Sequence, residues 1–226
     1  MTIDRAGIPF IAAPALAGGT LWLVGQPAIG AALVLIAGAI TLFFRDPERP
    51  LPAGVSPDAV LAPADGTVLH AGEPDPEAAP EGAWWQVSIF LSLLDVHVNR
   101  VPIGGQVVSV NHRPGRFLPA FHQHAADRNE RTEVLIDHDG QPVVFHQVVG
   151  VLARRVVCRI EPGMEVAQGQ RFGIMKFGSR MDLFVPRSAK LVVAVGQTVR
   201  GGETVLARLA ACSETPRRTE SGEAPG

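Results

Sequence analysis

Thr132-Glu133-Val134-Leu135-Ile136-Asp137-His138-Asp139-Gly140-Gln141-Pro142-Val143-Val144-Phe145-His146-Gln147-Val148-Val149 carries the pattern that decides the fold. Two apolar runs, Thr132 to Ile136 and Val143 to Val149, flank Asp139-Gly140, the dipeptide favoured in tight hairpin turns. Outward from this hairpin the pattern repeats. Val60 to Leu69 is interrupted by the turn pair Asp65-Gly66, and Trp84 to Leu94, Gly105 to Val110 and Arg155 to Ile160 read as further strands. After residue 44 only Val148 to Arg155 hints at a 3.6-residue period. Nineteen prolines and 24 glycines in 226 residues cut the chain into short segments. The expectation is a mainly β, β-rich α+β domain.

Toward the C-terminus the chain echoes itself. Val166-Ala167-Gln168-Gly169-Gln170-Arg171-Phe172 is followed by Val193-Ala194-Val195-Gly196-Gln197-Thr198-Val199, and then by Gly202-Glu203-Thr204-Val205. Such pieces occur in small barrels related to biotinyl and lipoyl carriers, where glycine permits sharp bends. A barrel-like C-terminal part is expected, and the polar stretch 213–226 reads as a disordered tail.

The N-terminal part is of another kind. Ile8 to Phe44 holds no charged residue and divides at Gly25-Gln26-Pro27 into two parts. Each approaches the minimum for a membrane helix, roughly 17 residues. Pro27 suits a helix start and Gly25 a helix end. Residues 1–45 are therefore read as a hydrophobic helical hairpin anchor, with 46–212 as the soluble domain. Arg5, Arg45 and Arg49 flank the apolar stretch, so the positive-inside rule places both ends on the cytoplasmic face of the cell membrane. A cleaved signal peptide would be shorter, and a single tilted span would put the domain across the membrane.

Composition narrows the function. Apolar residues make up 46% and charged residues 19%, and the net charge is −2, so nothing suggests a nucleic-acid partner. Two cysteines, Cys158 and Cys212, cannot build a disulfide framework and read as free thiols.

Three segments carry the chemistry: Ala62-Pro63-Ala64-Asp65-Gly66-Thr67-Val68, Phe90-Leu91-Ser92-Leu93-Leu94-Asp95-Val96-His97-Val98-Asn99-Arg100-Val101-Pro102, and Met175-Lys176-Phe177-Gly178-Ser179-Arg180-Met181. In this order and spacing they resemble the phosphatidylserine decarboxylases, most closely the short bacterial and archaeal-type members. Arg45-Asp46-Pro47, Gly115-Arg116-Phe117-Leu118, Asn129-Glu130-Arg131 and Ala153-Arg154-Arg155-Val156-Val157-Cys158 extend the likeness from about Phe43 to Leu209. The resemblance implies a proenzyme that cuts itself between Gly178 and Ser179 into chains 1–178 and 179–226, which stay together as a heterodimer. It also implies a pyruvoyl group made from Ser179. The reaction would convert phosphatidylserine in the membrane to phosphatidylethanolamine, within phospholipid biosynthesis.

The residues fit such chemistry. Removing CO2 from an α-amino acid leaves a carbanion that needs an electron sink, and a protein-bound α-keto group is one. A serine can become one by attacking the preceding carbonyl, after which the ester eliminates to dehydroalanine and hydrolyses. Gly178, without Cβ, allows close approach of the hydroxyl. A serine nucleophile also needs a base oriented by a third group. The family's motifs assign these roles to His97 and Asp65. Long members carry a second histidine where this chain has Arg100, so the base of self-cleavage is His97 or another group, and His97 would serve self-cleavage, decarboxylation or both.

Other residues have competing readings. Asp95 shares a strand face with His97 and would orient it or pair with Arg100. His122 and His124 alternate but lack a third ligand, so no metal is expected. Arg116, Arg131, Arg154 and Arg155 would meet lipid phosphate or solvent. An alternative function is a membrane-anchored biotinyl or lipoyl-like carrier modified on Lys176, since Ile174-Met175-Lys176-Phe177 resembles a carrier's lysine motif. Such a carrier has no use for the Asp65, His97 and Gly178-Ser179 motifs.

Overall fold

The computed structural model describes residues 2–119, 125–150, 156–176 and 179–210. In chain order the elements are β1 (Thr2–Ile3), α1 (Ile8–Leu23), α2 (Pro27–Phe43), β2 (Arg45–Asp46), β3 (Ala59–Leu61), β4 (Gly66–Gly72), β5 (Trp84–Leu91), β6 (Val98–Arg100), β7 (Gly105–Arg113), α3 (Ala125–Arg128), β8 (Arg131–His138) and β9 (Gln141–Val149). They continue with β10 (Val156–Cys158), β11 (Glu165–Val166), β12 (Arg171–Met175), β13 (Ser179–Pro186), β14 (Lys190–Leu191), β15 (Thr198–Val199) and β16 (Val205–Arg208).

The opening hairpin is as the sequence predicts. Asp139 and Gly140 take φ of 49° and 82°, and β8 and β9 pair from Arg131↔Val148 to His138↔Gln141. These strands belong to an 8-stranded sheet of order β11-β7-β8-β9-β13-β5-β4-β15. Two 3-stranded sheets, β10-β12-β6 and β14-β16-β3, accompany it. Alternate residues of the large sheet, among them Val87, Ile89, Leu91, Phe145, Met181, Leu183 and Val185, join Phe172 and Met175 of β12 in the main core. Among the described residues the sheets do not close, so the barrel-like expectation for the C-terminal part is met only loosely. The sequence echo is nevertheless real as local structure. Ala167–Gln170 and Ala194–Gln197 form matching turns, each with its glycine at positive φ (75° and 85°) and the Gln side chain accepting from the Ala N–H. Repeated turn chemistry does not require a closed barrel.

Two strand expectations change at their ends. β5 stops at Leu91, short of Leu94, because the Asp95 carboxylate accepts from the backbone N–H and Oγ of Ser92 at 2.8 and 2.7 Å. That local bond turns the chain. Val148 and Val149 belong to β9 and not to a helix, while residues 151–155 lie outside the described residues, as do Cys212, the tail, His122 and His124.

The apolar N-terminal stretch forms two helices that lie against each other. A Cβ on Gly18 would come within 2.8 Å of the Gly30 carbonyl, so the backbones approach as small-residue helix pairs do. Arg5–Leu23 is long and apolar enough to cross a membrane, with 11% of its apolar window buried. At the foot of the hairpin β1 pairs with β2. Buried Asp4 and Asp46 tie it to the domain through Arg159 at 2.7 Å and Arg171 at 2.6 Å.

Candidate active site

Ser179 opens the central strand β13, opposite Leu91 of β5 and Val149 of β9. Alternation along the strand points it to the same side as Met181 and Leu183, into the core. It is fully buried, and among the described residues its Oγ has no hydrogen-bond partner. Phe177 and Gly178, the residue before the expected cut, lie outside the described residues.

The 3-stranded sheet brings the second component. β6 pairs with β12 through Val98↔Ile174 and Asn99↔Gly173, and Met175 N–H donates to the His97 carbonyl. Val98 and Ile174 pack with Phe43, Phe44 and Val96 at the hairpin side. The opposite face, with Gly173, Met175 and Asn99, looks toward the large sheet: a Cβ on Gly173 would lie 2.8 Å from Gln147 Nε2. Gln147 sits opposite Met181, diagonal to Ser179 on the same face, a relation that spans about 7–8 Å. Its Nε2 donates to Asn99 Oδ1 at 2.8 Å and links the two sheets. Asn99 therefore projects into the layer that holds Ser179, while His97, just before β6, sets its ring against Phe43. Only three residues lie between Met175 and Ser179, four steps that span at most about 14 Å.

His97 is fully buried, and its ring centroid lies 4.1 Å from that of Phe43. Its Nδ1 is 3.0 Å from the Asp95 carbonyl. A carbonyl only accepts, so Nδ1 carries the proton and Nε2 the lone pair. Burial pushes the imidazole down to about 4, against smaller opposing pulls from the hydrogen bond to Asp95 and from the Asp95 and Asp65 charges. The ring is neutral at physiological pH and in the tautomer of a base. Asp95 orients it by its main chain, since its carboxylate is held by Ser92.

Asp65 lies at the same end of the large sheet but not on His97. Arg49 grips it with both Nη1 and Nη2, the latter at 2.7 Å, and Gly201 N–H donates to it at 2.8 Å. The next residue, Gly66, has φ 150°, and a Cβ there would lie 2.0 Å from the Phe90 carbonyl, so only glycine lets this segment reach the strand that pairs with β13. Asp65 thus reaches His97 through its field, not a bond.

Arg100 is structural. It stands an odd number of residues from His97, donates to the carbonyls of Pro47 and Gly169 at 2.8 and 3.1 Å, and lies 3.5 Å from Asp46. Lys176 lies 4.9 Å over the Phe10 ring at the foot of α1. Arg131 pairs with Glu133 at 2.9 Å, Arg116 is exposed, and Arg154 and Arg155 lie outside the described residues. Among the described residues no His, Cys, Asp and Glu cluster could hold a metal.

Sequence reasoning passed over Asn99 and Gln147. Both are fully buried, yet Asn99 Nδ2 and Gln147 Oε1 have no hydrogen-bond partner among the described residues. Each such atom costs about 1–3 kcal/mol of desolvation. Together with Ser179 Oγ they make three unsatisfied polar atoms in one inter-sheet layer. The sequence signal was polar residues set among apolar ones, Asn99 between Val98 and Val101 and Gln147 between Phe145 and Val148.

Comparison with known proteins gives a consistent picture. The family profile described as phosphatidylserine decarboxylase matches residues 36–207. A phosphatidylserine decarboxylase proenzyme of Salinibacter ruber is 45% identical over 215 residues, covering 92% of this chain and 93% of its own. Proteins of the same description from Mycolicibacterium smegmatis and Rickettsia felis are 42% and 41% identical, over 92% and 91% of this chain and 90% and 89% of theirs.

Proposed function

The chain belongs to the phosphatidylserine decarboxylase family and is a carboxy-lyase, and from that premise we propose that it matures by serinolysis at Gly178-Ser179 with His97 as base. The observation that carries this reading is the buried Ser179 Oγ, which has no hydrogen-bond partner among the described residues, beside which stands a buried His97 in the tautomer of a base.

His97 Nε2 takes the Ser179 hydroxyl proton as Oγ attacks the Gly178 carbonyl carbon. Asn99 Nδ2 is the donor in this layer for the negative charge that develops on the carbonyl oxygen. The C–N bond then breaks, the nitrogen takes the proton back from His97, and an ester joins Gly178 to Ser179 Oγ. Loss of the Ser179 α-proton expels the Gly178 carboxylate, which ends chain 1–178, and leaves dehydroalanine. Water converts that residue to pyruvoyl, with release of ammonia, at the head of chain 179–226. Its α-keto group supplies the electron sink for losing CO2. Asp65, fixed by Arg49, adds negative potential that favours protonated His97. The residues suit the group: Ser179 is buried with Met175 and Met181 on its apolar side, Asn99 is the donor and His97 the proton carrier.

The substrate is phosphatidylserine and the product phosphatidylethanolamine, since the headgroup loses only its carboxyl. The hairpin anchors the enzyme in the cell membrane with the domain on the cytoplasmic face, by the flanking arginines. The carrier reading has no support: Lys176 is half-buried against Phe10 and not displayed on a turn, as a swinging arm requires.

Denaturing mass measurement tests the proposal. The wild type is expected as two fragments, 1–178 and a 179–226 chain blocked by pyruvoyl, and Ser179→Ala as one intact chain. An intact, fully active wild type would overturn it.

A further inference from the structure

Between β5 and β6 the chain makes a turn closed by Asp95, whose N–H donates to the Ser92 carbonyl at 3.0 Å while its carboxylate holds Ser92. This rigid turn displays Leu93 and Leu94, which are 51% and 83% exposed. Scattered exposed leucines need no explanation. These two differ by where they are held. Arg45, just after α2, donates to the Leu94 carbonyl at 2.5 Å and to the Leu42 carbonyl at 2.7 Å. The leucine turn is thereby fastened to the foot of the hairpin, where Leu42, Ile8 and Phe10 are also exposed. Apolar surface continues without a break of fold from the helices onto the catalytic domain. Arg5, Arg45 and Lys176 lie at this foot and suit an anionic surface.

We propose that Leu93 and Leu94 form an interfacial insertion that enters an anionic phospholipid bilayer beside the hairpin and clamps the domain to that surface. The inference rests on the decarboxylase reading and adds the route by which the lipid arrives. The serine headgroup lies at the outer edge of the bilayer, so a buried Ser179 can act on it only if the domain is clamped to that surface. The turn does this next to the chemistry. Asp95, which closes it, also supplies the carbonyl that fixes the His97 tautomer. Insertion and imidazole placement share one residue.

The test uses the full, self-cleaved chain with Leu93→Ser and Leu94→Ser together, both exposed positions. Two substrates are compared: phosphatidylserine in phosphatidylcholine vesicles, and a short-chain phosphatidylserine dissolved as monomers. Withholding two leucines from hydrocarbon is expected to raise KM for the vesicle substrate on the order of tenfold. Complete self-cleavage and unchanged turnover of the monomeric substrate are expected. Unchanged vesicle KM overturns the proposal, and so does an equal loss on both substrates. A smaller oligomer in detergent for the variant also overturns it, because the leucines would then meet a second copy. A wild type that stays uncut and releases no CO2 from either substrate would instead defeat the decarboxylase reading.

Discussion

Replacing Asn99 by Ala separates a catalytic role from a packing role. In the folded chain Asn99 Oδ1 accepts from Gln147 Nε2 and its Nδ2 is buried without a partner among the described residues. The substitution removes one hydrogen bond, about 1 kcal/mol, and orphans Gln147 Nε2, about 1–3 kcal/mol more. It also deletes the orphan Nδ2, which returns about 1–3 kcal/mol. These contributions nearly cancel, so stability should change by only about 1 kcal/mol. Loss of an oxyanion donor costs about 10²–10³ in rate. The expected result is a folded, uncut precursor. Cell-free synthesis followed by gel separation of the 179–226 fragment gives the rate, and urea unfolding of the same protein gives stability. Asn99→Asp, which keeps the acceptor for Gln147, is expected to be uncut as well. Cleavage at the wild-type rate in either folded variant would refute the reasoning, and clear destabilisation with normal cleavage would assign Asn99 to packing alone.

Two further predictions concern the charges. His97 is depressed from 6.5 to about 4 by burial, so its contribution is intact above pH 6.5 and is lost as pH falls toward 4, where only the unfolded chain takes the proton. That loss approaches about 3 kcal/mol, roughly 2 of it by pH 5. His146 carries a like depression from burial, so urea unfolding of His97→Gln should show roughly half the acid sensitivity of the wild type across that range. An unchanged pH dependence would mean His97 is hydrated in the folded protein. Asp65→Asn should destabilise by about 3–5 kcal/mol, because it leaves the largely buried Arg49 guanidinium without its carboxylate. Uncut Asp65→Asn protein that unfolds at the wild-type urea concentration would show that Asp65 serves chemistry only.

What was legible in the sequence follows from range. Asp139-Gly140, Asp65-Gly66 and Gly25-Gln26-Pro27 each settle their backbone locally, and each turn is found where the residues place it. The early end of β5 was also local, in Ser92 and Asp95, but an apolar Leu93-Leu94 hid it. The strand at Arg155 to Ile160 was legible and contains β10, but the sheet β10-β12-β6 was not, since β6 has only three residues and pairs with a strand remote in sequence. The same holds for the grip of Arg49 on Asp65 and the reach of Arg100 to Asp46. Ser179 and His97 were singled out because their motifs are recognisable as chemistry. Asn99 was quoted within a motif, but whether an amide is satisfied depends on what folds against it.

The position of β13 between β5 and β9 has a consequence for the life of the molecule. A cut before Ser179 leaves β5 and β9 with the large fragment and β13 with the small one, flanked on both sides along its length. The small fragment also supplies β16, inserted between β14 and β3. Neither fragment can leave without opening the middle of a sheet. On the proposed maturation the chain folds once, as a single thread, and is then severed into two interleaved fragments that have no route back. Its persistence after the cut is governed by the height of the unfolding barrier and no longer by an equilibrium with the unfolded chain.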